Sequence, residues 1–178
     1  TWWGRTSLPT SLGVSGAGTS LTSAHGPDSS ILSLFWTADA LKVVGYAMAD
    51  HMRTSLVCQA IDMAARRCPV ENGVTVFHSD RGSQYTSQKF LDHLKTYGIR
   101  PSVGRTGVCW DNAWAESFNA TLKNERVHRM VYPTKNKAIN DIASWIELRY
   151  NHIRLHSALG YRTPNEAEQE FLGLTKAA

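Results

Sequence analysis

The chain has 178 residues, 42% of them hydrophobic and 19% charged, with a formal net charge of +4. That is the size of one globular domain, able to bury roughly 70% of its unfolded surface without a disulfide or metal staple; the mild basicity is compatible with nucleic acid without demanding it. Three cysteines with no Cys-x-x-Cys spacing argue against a disulfide framework or a cysteine zinc knuckle, and the absence of a long apolar run or a leader-like start argues against a membrane span and for the cytoplasm.

Residues 1–41 hold eight Ser, six Thr and five Gly, with Arg5 the one basic residue against Asp28 and Asp39. They show no sustained period of 2 or 3.6, so an irregular segment is expected there. From Lys42 the pattern becomes orderly. Val43, Val44, Tyr46 and Met48 predict a strand running to Ala49. Val57, Ala60, Ile61 and Ala64 form a helical stripe over Thr54 to Arg67, with Thr54 as the expected cap and Arg66 and Arg67 at the negative end. Val74 to Phe77 reads as a short buried strand, Thr86 to Tyr97 as a helix stopped by Gly98, and Ile99 to Val103 as another strand. Beyond a glycine-containing loop, helices are expected over Asp111 to Val127, Lys135 to about Ile153, and Asn165 to Leu172, with a tail over 173–178. The alternation predicts an α/β domain over 42–172, with ligands at the carboxyl ends of its strands.

Asp80 stands where the Val74–Phe77 run gives way to a turn, in His78-Ser79-Asp80-Arg81-Gly82. A carboxylate there points toward the usual crevice of such a sheet, although Asp before Arg-Gly is also ordinary turn chemistry. Glu116 lies early in the next-but-one helix, where an acidic residue also suits the helix dipole. Asn119 and Lys123 follow at i+3 and i+7 and share its face, with Lys123 suited to a phosphate. His152 and His156 have an i, i+4 spacing, but no third ligand completes a zinc site. Cys109 has no base partner in sequence, and Trp110 and Trp114 read as packing around the loop.

Together these residues resemble a known family. Phe77-His-Ser-Asp-Arg-Gly-Ser-Gln-Tyr85, Gly107-Val-Cys-Trp-Asp-Asn-Ala-Trp-Ala-Glu-Ser-Phe-Asn119, Leu122-Lys-Asn-Glu125, Tyr150-Asn151, Arg154, His156 and Leu159-Gly-Tyr-Arg-Thr-Pro164 occur in order. The text is similar to the catalytic domain of bacterial insertion-sequence transposases, DDE enzymes with an integrase-like core, over about residues 42–170. The resemblance implies a ribonuclease-H-like mixed sheet flanked by helices. It implies DNA transposition by strand cleavage and joining, and Mg²⁺, with Mn²⁺ as substitute, held by Asp80 and Glu116. Independently of the resemblance, DNA contacts are expected from Asn119 and Lys123 on the Glu116 helix face and from Arg154, which with Arg149 and Arg162 makes the C-terminal segment basic. The expected partners are element ends and target DNA, a second copy of the chain, and a separate helix-turn-helix recognition polypeptide, with no membrane. Two ions about 4 Å apart can activate the attacking oxygen and stabilise the leaving one.

The family uses three carboxylates, the first in a stretch resembling Trp-x-x-Asp-Ile-Thr-Tyr. Here the comparable text is Trp3-Gly4-Arg5-Thr6-Ser7-Leu8, without an Asp. A disturbed reading frame is one explanation: Arg5 to Leu8 encoded CGG-ACA-TCA-CTT reads Asp-Ile-Thr when shifted. Sequencing that finds no such triplets in any frame excludes it. The other explanation is a substitute among Asp28, Asp39 and Asp50. With only two carboxylates in place, weak or absent catalysis is expected. A non-catalytic DNA-binding remnant and a ribonuclease-H-like nuclease are the alternatives.

Overall fold

The computed structural model describes residues 14–21, 30–37, 39–79, 81–103 and 113–177. Five strands form one sheet in the order β3-β2-β1-β4-β5. They are β1 (Val14–Leu21), β2 (Ser30–Thr37), β3 (Val43–Ala49), β4 (Val76–Ser79) and β5 (Arg100–Val103). β1, β2 and β3 run antiparallel, with Val14 opposite Thr37 and Leu34 opposite Tyr46. β4 joins β1 in parallel, Gly16 opposite Ser79, and β5 joins β4 in parallel.

The expectation of an irregular segment over 1–41 is therefore corrected for 14–21 and 30–37, which are paired strands. The reason lies in burial. Leu32, Ser33, Leu34, Phe35 and Thr37 are all at most 1% exposed, so β2 is covered on both faces and shows no polar alternation. Pairing and packing override the weak strand preference of a Ser- and Gly-rich text. Residues 1–13 and 22–29 lie outside the described residues.

Helices cover both faces. On one side α1 (Thr54–Arg67), α2 (Ser83–Thr86) and α3 (Gln88–Thr96) enclose a core with Phe35, Val44, Phe77, Tyr85, Phe90 and Leu94. On the other, Leu32, Leu34 and Val43 meet residues of α4 (Ala113–Glu125), α5 (Lys135–Ser144) and a π-helical turn over Trp145–Tyr150. A last helix, α6 (Pro164–Ala177), closes the chain. Gly45 is where β3 meets α1: a Cβ there would stand 2.2 Å from the Ala60 carbonyl oxygen, so only glycine allows the approach.

Several boundaries move for physical reasons. The α1 stripe is buried as expected, but Arg53 in extended backbone is the N-cap and Thr54 makes no cap bond. The Thr54 hydroxyl sits 3.2 Å from that of Ser87, which itself caps α3 by accepting from the Phe90 N–H. That cap starts the helix expected over 86–97 at Gln88, as α3, and the short α2 precedes it at Ser83–Thr86. β4 begins two residues late because Thr75 Oγ1 accepts from the Glu71 N–H and closes a turn that leaves Val74 exposed. The helix expected through Ile153 switches at Trp145 to wider hydrogen-bonded turns, which bury Ile146 and Tyr150 and leave Ile153 60% exposed.

Candidate active site

α4 carries the clearest functional face. Phe118 and Leu122, 5% and 0% exposed, point into the core beneath it. Glu116 sits in the first turn, solvent-exposed, and its carboxylate has no hydrogen-bond or ion-pair partner among the described residues. The amino end of a helix favours an anion, and Glu116 is not spent on a structural bond among the described residues. Asn119 lies one turn on, with its Oδ1 buried and unpartnered among the described residues. Lys123, a further turn on, also has no ion-pair partner there. The structure thus places Glu116, Asn119 and Lys123 on one helix face, as their spacing predicts. Asp80 lies outside the described residues; the flanking Ser79, 4% exposed, ends β4.

No acidic residue occurs in β1, β2 or β3. The candidate substitutes are badly placed. Thr37 is level with Val14 and hence with Phe77, and the chain then runs away from the carboxyl end of β4, so Asp39 sits at the wrong end of the sheet. Asp50 follows β3, three strands from β4 and so roughly 14 Å across the sheet. Its carboxylate is 3.1 Å from Lys135, which holds it below the usual carboxylate range. Asp28 lies outside the described residues.

Arg154 is committed elsewhere: its Nη1 donates to Glu125 Oε1 at the end of α4. His152 is exposed, while His156 packs edge-on against Tyr150 at 5.0 Å, its Nε2 buried and unpartnered. Burial and the nearby Arg154 cation push His156 below its ordinary pKa against a counteracting pull from Glu125. Among the described residues no group of three His, Cys, Asp or Glu could hold a metal. Cys109 and Trp110 lie outside the described residues.

The residues that sequence reasoning missed are the ties around this face. Asn151, 2% exposed, accepts from the Val43 N–H at 3.0 Å and donates to the Val43 carbonyl at 2.9 Å, pairing with β3 as a neighbouring strand would. Arg126, just after α4, donates from Nε to Asp141 at 2.6 Å, and the Tyr132 hydroxyl donates to the same carboxylate at 2.7 Å. The Asn in Tyr150-Asn151 was visible as part of a motif; its role was not. A cleft of about 390 Å³ opens at the start of β3, but Lys42 pairs with Glu168 and Arg67 with Glu147 across it, and none of the expected site residues lines it.

The fold and sequence have known counterparts. The catalytic core domain of BIV integrase superposes with a TM-score of 0.66 at 18% identity, covering 94% of this chain and 99% of that one. The HTLV-2 integrase catalytic core domain, solved in complex with magnesium, gives 0.65 at 15% identity, with 88% and 96% covered. The architecture is thus that of an integrase catalytic core. Two family models, each described as Integrase core domain, match residues 40–109 and 97–164. The transposase for insertion sequence element IS904 of Lactococcus lactis is 37% identical over 128 residues, covering 72% of this chain and 50% of that protein. The IS629 transposase of Shigella sonnei is 40% identical over 133 residues, with 72% and 43% covered. The chain belongs to the IS3-family insertion-sequence transposases, whose integrase core domain it carries. It spans about half the length of these curated relatives.

Proposed function

We propose that this chain is the catalytic core of a DNA transposase that retains a DNA-facing surface but is impaired in strand cleavage and transfer. One observation carries the reading: Glu116 presents an uncommitted carboxylate beside Asn119 and Lys123, while β1, β2 and β3 supply no third acid to join Glu116 and Asp80. A hard divalent cation prefers such oxygen donors, so Glu116 with Asp80 fits one Mg²⁺, or Mn²⁺ in its place. Bound there, the ion would polarise a phosphodiester oxygen; a two-ion site needs the further carboxylate that these strands lack. Lys123 and Asn119 contact the DNA backbone, Lys123 through a phosphate. Element ends and target DNA are the partners, recognition of the ends falls to a separate helix-turn-helix polypeptide, and the core acts in the cytoplasm as a homo-oligomer. Among the described residues, no helix is long and apolar enough to cross a membrane.

The test pairs a salt-titrated DNA-binding assay with a Mg²⁺-dependent strand-transfer assay on the same preparation. Binding that weakens with salt, with little or no joined product, is expected. Lys123→Ala should lower the slope of log K against log salt by about one. Robust strand transfer that Asp80→Ala abolishes would overturn the impairment, and salt-independent binding would remove the DNA-facing surface.

A further inference from the structure

α4 delivers Glu116, and among its described side chains the apolar grip is narrow. Phe118 and Leu122 are one turn apart on a single stripe, so they set the depth of the helix better than its direction. Glu125 ends the same helix, nine residues from Glu116, or about 13.5 Å along the axis. A swing of about 5° around that distant end shifts the Glu116 carboxylate by about 1 Å, enough to cost roughly 100-fold where geometry matters.

The π-helical turn controls that end. Just past the turn the Arg154 N–H bonds the Arg149 carbonyl at 2.8 Å, a five-residue step, and the Ile153 N–H bonds the same carbonyl at 2.9 Å. At 3.6 residues per turn, residues five apart diverge by about 140°; the wider winding brings them toward one side. Arg154 Nη1 bonds Glu125 Oε1, and Arg149 Nε stands 3.7 Å from Oε2 of the same half-buried carboxylate. The turn's aromatic residues complete the seat, Tyr150 lying 4.8 Å and Trp145 6.0 Å from the Phe118 ring.

Resting on the metal-binding reading of Glu116, we infer that Arg154 is a positioning residue for the site. With Arg149, it clamps Glu125 and so aims the helix that presents Glu116, rather than contacting DNA. The five-residue bond from the Arg154 N–H to the Arg149 carbonyl, where the chain leaves the π-helical turn, brings both arginines toward one carboxylate. Because a single Nη1 contact joins Arg154 to Glu125, a lysine can replace it here, although it could not in a forked pair.

The experiment titrates the full chain with Mn²⁺ alone, read by the loss of the free-ion electron paramagnetic resonance signal, and measures the salt slope of DNA binding in parallel. The wild type should bind Mn²⁺ in a manner that Glu116→Gln abolishes. Arg154→Gln should weaken that binding about 10-fold, as removal of an outer support does. Arg154→Lys should restore it, and the DNA salt slope should stay unchanged in both. Glu125→Gln, which breaks the clamp from the other side, should reproduce the loss. If Arg154→Gln or Glu125→Gln leaves Mn²⁺ affinity intact while Glu116→Gln abolishes it, or if Arg154→Gln lowers the salt slope by about one, the clamp is overturned and the metal site stands. If the wild type shows no Glu116-dependent Mn²⁺ binding, the metal reading itself falls and the positioning role with it.

Discussion

The second strand and the π-helical turn are both buried, and they are held in opposite ways. β2 is embedded by ladder hydrogen bonds and by burial alone: Ser33 and Thr37, each 1% exposed, have hydroxyls with no partner among the described residues. The turn over 145–150 and the chain after it are fixed by directional polar bonds, Asn151 to Val43 and Arg154 to Glu125, around an aromatic seat. The first region supplies sheet without chemistry. The second holds the helix that carries the candidate metal ligand. Precision is concentrated where the site needs it, and the strands that should add a further acid are merely packed.

The largest break in that comparison is Phe118→Ala. The ring joins α4 to Trp145 and Tyr150, and its loss should cost about 3–5 kcal/mol in denaturant unfolding. A cost below about 1 kcal/mol would mean that α4 is not seated on the turn. Asn151→Ala comes next. It strands the N–H and carbonyl of Val43 in the interior, which at about 1–3 kcal/mol per buried unpaired group predicts a loss of about 2–6 kcal/mol in total. Amide exchange at Val43 should accelerate with it, and unchanged exchange would show that Asn151 does not hold the edge. On the other side, Ser33→Ala should stabilise the protein by about 1 kcal/mol, because it removes a buried hydroxyl that satisfies nothing. Destabilisation instead would reveal a hidden partner for that hydroxyl and weaken the contrast between the two regions.

The same contrast explains what could be read without a structure. The α1 stripe, the strand expected over Val74–Phe77 and found two residues later at Val76–Ser79, and the shared face of Glu116, Asn119 and Lys123 follow from helical or strand patterning. β1 is not legible in the sequence because its Ser and Gly carry little strand preference, and β2 is not because a strand covered on both faces has no alternation. Thr54 failed as a cap because cap choice depends on local backbone and not on residue type alone. The ties of Asn151, Glu125 and Asp141 join residues 9 to 108 positions apart, and no local pattern encodes such partners. Arg154 reads as a DNA contact from its basic segment, and a basic residue in a motif does not show in sequence that it also meets Glu125.

The smallest expected effect tests the polar side of the contrast by pH. His156 is pushed below its ordinary value of 6.5 by burial first and by the Arg154 cation second. The unfolded chain therefore takes up the proton at a pH where the folded chain still refuses it, so the folded state loses ground as pH falls through about 6.5 and levels off below the lowered folded value. The melting temperature of the wild type should drop more between pH 7.5 and 5.5 than that of His156→Gln, and equal drops would show that the ring titrates as if exposed. Arg154→Gln sharpens the result. It removes the like charge and leaves Glu125, whose pull on the proton is then less opposed, so the drop should shrink toward that of the glutamine variant at 156. If it does not, desolvation alone sets the titration of His156, and the Glu125–Arg154 pair exerts no electrostatic influence on the aromatic seat beside it.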